Sequence, residues 1–109
     1  MTTAIAINPD GTVGGGWGRA DRVAIATVTG ASITDWTVIE VGWNAAHDEG
    51  TEGSHHARIA RFLKDNDVDT VVAGHMGDGM VRMMATMGIT TVLGVTGDAG
   101  TAVTALAKP

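Results

Sequence analysis

The sequence predicts an α/β domain in one piece, residues 1–109, with the element order β-β-β-α-β-α-β-α. Three observations carry the prediction. Short runs rich in β-branched residues fill about half of the first forty positions, with turn signals between them. From residue 55 onward, segments with helical apolar spacing alternate with short apolar runs that lack polar alternation, the pattern of strand–helix units with buried parallel strands. A length of 109 residues suits a single core in one compact domain.

Residues 3–7 form a short apolar strand that ends at Asn8-Pro9-Asp10-Gly11, a turn signal. A glycine-rich loop follows, and residues 22–28 make the second strand. Thr29-Gly30-Ala31-Ser32 turns the chain into a third strand over 33–41, giving a hairpin. Residues 42–53 are a polar, glycine-containing loop. Ser54 is placed to cap a helix over 55–66, with Ile59, Phe62 and Leu63 as its apolar stripe and Arg58, Arg61 and Lys64 on the wet side. Asn66 suits the left-handed conformation that ends such a helix. A buried strand over 68–73, a helix over 79–87 capped by Asp78, a second buried strand over 89–95 and a short helix over 99–107 complete the chain. The crossovers between the parallel strands should be right-handed.

Composition narrows the function. The chain has no cysteine, which excludes disulfides, thiolate metal ligands and a cysteine nucleophile. The formal charge of −5 argues against nucleic acid as a partner, because phosphate neutralisation needs a basic surface. No apolar run approaches membrane-spanning length and the N-terminus lacks targeting character, so a cytoplasmic protein with no membrane partner is expected. The sixteen glycines cluster at 11–18, 42–53, 74–79 and 94–100, as expected of special backbone geometry or close ligand approach.

The second half also echoes itself. VVAGHMGDG (71–79) and VLGVTGDAG (92–100) both run from a strand through Gly-x-x-Gly-Asp into a helix. Ligands of open α/β sheets bind outside the carboxyl ends of the strands, where helix N-termini favour anions. At these residues the chain resembles the dinitrogenase iron–molybdenum cofactor biosynthesis family, the small NifX- and NafY-like domains. The AIAIN strand, Trp17-Gly18-Arg19-Ala20, the segment VDTVVAGHMG and the segment MGITTVLGVTG carry the likeness, in order, over nearly the whole chain. Where the family often has Gly-Gly-x-Gly-Pro-Asn, this chain has Gly74-His75-Met76-Gly77-Asp78-Gly79. The resemblance implies a ribonuclease H-like motif, a five-stranded mixed sheet of order 3-2-1-4-5 with helices on both faces. It also implies a role, related to nitrogen fixation, in carrying or binding iron–molybdenum or similar metal–sulfur clusters, with a recipient metalloprotein as a partner.

Given that topology, the loops after strands 1, 3, 4 and 5 share one sheet edge, and all four histidines fall on it. His47 lies in the second of these loops, His75 in the third, and His55 and His56 begin the helix between them. Neutral imidazole binds zinc, copper, iron and nickel. Adjacent helical positions diverge by about 100°, so the expected ligands are His75, His47 and one of His55 and His56. Trp17, Gly18, Arg19, Gly74, Met76, Gly77 and Gly97 are the candidates for holding the rest of an anionic Mo/Fe or Mo/Cu cluster. Met80, Met83, Met84 and Met87 follow helical spacing and belong to the core. Asp78 and Asp98 serve most simply as helix caps, and Trp17 as a site lid or a loop anchor.

The expected function is therefore a non-enzymatic carrier of a metal or metal–sulfur cluster, as a monomer or weak homodimer. The alternative is a phosphate- or nucleotide-binding module built on the two Gly-x-x-Gly-Asp loops, with a small anionic ligand. A ribonuclease H-type hydrolase is disfavoured, because two-metal chemistry needs several carboxylates and the first strand contains none.

Overall fold

The computed structural model describes residues 1–47 and 49–107. Five strands, β1 (Thr2–Ile7), β2 (Arg22–Thr29), β3 (Ser32–Glu40), β4 (Thr70–Val72) and β5 (Thr90–Val92), form one sheet in the order β3-β2-β1-β4-β5. β1 runs antiparallel to β2 and parallel to β4, and β2 is antiparallel to β3. β5 lies parallel to β4 at the far edge. The expected mixed sheet and strand order are thus the ones observed.

Strand alternation sorts the side chains into two cores. Ala4, Ala6, Val23, Ile25 and Val71 share one core with Ile59 and Leu63 of α2 (Glu52–Asp65) and Met80 and Met84 of α3 (Asp78–Thr86). Ile5, Ala24, Ala26, Val28 and Val72 share the other with Ala99 and Val103 of α4 (Ala99–Ala107). Ile59 and Leu63 are fully buried, each contributing roughly 1.5–3 kcal/mol.

Several elements differ from expectation. A short helix, α1 (Trp43–His47), occupies part of the stretch 42–53. It forms because Trp43 is a buried anchor, edge-on to Trp17 at 5.1 Å and to Phe62 at 5.2 Å. A three-residue 3-10 turn, Trp17–Arg19, precedes β2. α2 starts earlier than Ser54 because Thr51 is its cap. Thr51 Oγ1 accepts from the Ser54 N–H, and Ser54 Oγ answers the Thr51 N–H, a reciprocal box with serine in the usual Glu/Gln place. The left-handed residue after α2 is Asp67, φ 53°, while Asn66 caps the last turn through Nδ2 to the Phe62 carbonyl. β5 is half-exposed rather than buried, since it is an edge strand with no neighbour beyond it.

Close backbone packing fixes the loops at the carboxyl ends of β1, β4 and β5. The Gly74 N–H donates to the Gly14 carbonyl, the Trp17 N–H to the His75 carbonyl and the Gly94 N–H to the Gly74 carbonyl. A Cβ on Gly74 would lie 2.9 Å from the Gly15 carbonyl oxygen, so only glycine fits there.

Candidate functional site

The N-terminal part of α2 carries two adjacent histidines that do different things. His55 points inward and is buried. Its Nε2 lies 2.7 Å from the Gly18 carbonyl and its Nδ1 2.8 Å from Arg58 Nη1. Guanidinium only donates, so Nδ1 is the acceptor and Nε2–H the donor to Gly18. That arrangement requires the neutral Nε2-protonated imidazole. His55 thus ties α2 to the 3-10 turn at Trp17–Arg19, with both ring nitrogens engaged.

His56 lies against the start of α3. A Cβ on Gly79 would stand 3.0 Å from His56 Cε1, so glycine at 79 is what lets the ring approach. His56 Nε2 is 3.7 Å from Glu52 Oε1 one turn earlier. His47, at the end of α1, brings its ring within 5.2 Å of the His55 ring, edge to face. Together these groups wall a cleft of about 360 Å³, lined by Gly18, His47, Glu52, His55, His56 and the Gly77–Met80 segment.

The floor of the cleft includes the N-terminus of α3. Gly77 is its cap residue, with extended backbone (φ −67°, ψ 154°), and no side chain caps the turn. The first amide groups of a helix have no partner within it, and its N-terminal end carries partial positive charge. Asp78 is therefore the first helical residue rather than the expected cap, favourably placed beside those amides but bonded to none of them. The cleft offers imidazole nitrogen and a carboxylate at one wall and oriented N–H groups at another. Among the described residues no three histidine or carboxylate side chains stand close enough to hold one ion together.

The remaining expected site residues are distributed as follows. His75 is exposed at the end of β4, its carbonyl bonded to Trp17, and it is not among the cleft-lining residues. Met76 is buried in the core with Met80 and Met84, where its thioether packs instead of facing solvent. Trp17 is fully buried, with Nε1 unpartnered among the described residues. Arg19 lines a neighbouring pocket with Gly14–Gly16. Gly18 and Gly77 line the cleft, whereas Gly74 is committed to the glycine loop and Gly97, at φ 87°, accepts from the Val13 N–H. Asp98 caps α4, accepting from the Thr101 N–H at 2.8 Å and its hydroxyl at 2.9 Å. The backbone bond, then the hydroxyl, holds the Asp98 carboxyl below its ordinary range. Thr12 does the same for Asp10, first by its hydroxyl and then by its N–H.

Glu52 and Gly79 belong to the cleft but escaped the sequence reading. The signal for Glu52 is its spacing of four from His56, visible only once the helix is known to begin at 52.

The fold and cleft define a small α/β domain with a ligand-sized recess at the carboxyl edge of a mixed sheet. The family described as dinitrogenase iron–molybdenum cofactor matches residues 1–108, and the chain belongs to that family. Among solved structures it is similar to PH0822, with a TM-score of 0.79 and 21% identity over 98% of this chain and 90% of that one. A candidate dinitrogenase from Methanocaldococcus jannaschii is similar with a TM-score of 0.67 and 15% identity, over 97% of this chain and 86% of that one. No curated protein matches in sequence.

Proposed function

We propose that the protein is a non-enzymatic carrier for an iron–molybdenum-type metal–sulfur cluster, with the cleft between α1, α2 and α3 as its seat. The observation that carries this reading is the convergence of His47 and His56 on the open N-terminus of α3, in a chain whose family is associated with that cofactor. A preassembled cluster already has its metals ligated, so it does not need a trio of protein ligands. One imidazole for an open metal position and helix N–H groups for anionic sulfides or oxygens are enough. The lack of cysteine suits a cargo that is held and handed on. In this reading His47 and His56 are the metal ligands, Gly18 and Gly77 allow close approach, and His55 positions the walls without touching the cargo.

The test is anaerobic incubation of the full chain with isolated iron–molybdenum cofactor, then gel filtration with elemental analysis. Molybdenum and iron should co-elute with the wild type and with His75→Ala, but not with the His47→Ala/His56→Ala double variant. Equal uptake by the double variant would reject the site.

A further inference from the structure

Seven of the sixteen glycines adopt positive φ, and Gly14, Gly74 and Gly79 sit where a Cβ would crowd a neighbour. Gly15 and Gly16 belong to neither group. Their φ is ordinary; a Cβ at Gly15 would meet nothing within 4 Å, and one at Gly16 only Arg19 Cβ at 4.0 Å. Nothing inside the fold requires glycine there. Both line a pocket of about 250 Å³ that shares no lining residue with the histidine cleft. Arg19, Arg22 and Asn8 also line it, with Asp21 the one carboxylate among the lining groups.

The backbone donors of this loop are held in place but unspent. The loop is pinned on both sides of Gly15 and Gly16, by Gly14 N–H to Ala6 and Gly14 carbonyl to Gly74, and by Trp17 N–H to His75. The Gly15 and Gly16 N–H groups donate to no described residue. Arg22 uses Nε on Glu40 Oε1 at 3.3 Å, and its two terminal amino groups make no hydrogen bond among the described residues. Preorganised backbone N–H groups beside guanidinium, with no side chain to keep a ligand off the backbone, are the arrangement that recognises tetrahedral oxyanions.

We propose that the pocket formed by Gly14–Gly16, Arg19 and Arg22 is a second ligand site, for a phosphate-type oxyanion, free or as the terminal group of a small phosphomonoester. The Gly15 and Gly16 N–H groups and Arg22 donate to its oxygens. The site is independent of the cluster cleft.

The test is isothermal titration of the full chain with inorganic phosphate and, separately, with glycerol 3-phosphate, using the wild type, Gly15→Ala and Arg22→Gln. Gly15→Ala should leave the circular dichroism spectrum and the phosphate-free melting temperature unchanged, because its methyl enters open space. Saturable binding weakened roughly tenfold or more in both variants, and retained in His47→Ala/His56→Ala, is the expected result. Tighter binding of the ester would identify a phosphorylated small molecule, and tighter binding of inorganic phosphate a free oxyanion. No saturable binding of either probe, or wild-type affinity in Gly15→Ala and Arg22→Gln, would overturn the proposal.

Discussion

His55→Ala should unfold the protein more easily than any other histidine substitution, by an amount the local bonding sets. The half-buried Gly18 carbonyl loses its donor, which costs about 1–3 kcal/mol when no water replaces it. Arg58 is exposed and regains solvent, so its lost contact adds under about 1 kcal/mol. Truncating a ring with only 3% exposure leaves a void between α2 and the 3-10 turn, which adds to the loss. The sum is roughly 2–4 kcal/mol, or a fall in melting temperature of roughly 8–16 °C for a domain of this size. Urea denaturation at neutral pH measures it. The same substitution at His75, which is exposed, should stay within about 0.5 kcal/mol. A His55→Ala loss no larger than that of His75→Ala would refute the assignment of His55 as a structural tie.

Thr51→Ala removes the oxygen that accepts from Ser54 and should cost about 1 kcal/mol by urea denaturation. Gly74→Ala drives a Cβ to 2.9 Å from backbone that other bonds hold in place, and should lower stability by roughly 1–3 kcal/mol or more in the same assay. Gly79→Ala should displace the His56 ring and weaken cluster uptake while largely preserving the fold, as judged by gel filtration and circular dichroism. The carboxyls of Asp10 and Asp98 titrate below their ordinary 3.8 in the folded chain. Between the two values the unfolded chain binds more protons, so their stabilisation is complete above about 3.8 and is lost as pH falls further. Asp98→Asn should therefore flatten the acid limb of a stability–pH curve.

Strand order was legible through a resemblance spanning the chain, and the burial of β4 through an apolar run without polar alternation. Convergence of the carboxyl-end loops on one edge follows from that topology, and His47, His55 and His56 do line one cleft. What escaped depends on side-chain direction. His55 and His56 are chemically identical neighbours, and only the inward turn of α2 makes one a strut and the other a wall. Met76 sits in a loop by sequence, yet its chain segment dives into the core. α1 was hidden because its five residues are too few for periodicity, and its real driver is Trp43 meeting Trp17 and Phe62 from distant positions. The α2 boundary shifted because a serine took the place of the expected Glu/Gln in the capping box.

The most direct test is nitrogen NMR of the four imidazoles with 15N-histidine, before and after anaerobic addition of iron–molybdenum cofactor. Before addition, His55 should show the Nε2-protonated tautomer. On addition, the signals of His47 and His56 should shift or broaden first, with His75 unaffected. A response confined to His75, or a cluster that binds with no change at His47 and His56, would contradict the cleft as the seat of the cargo.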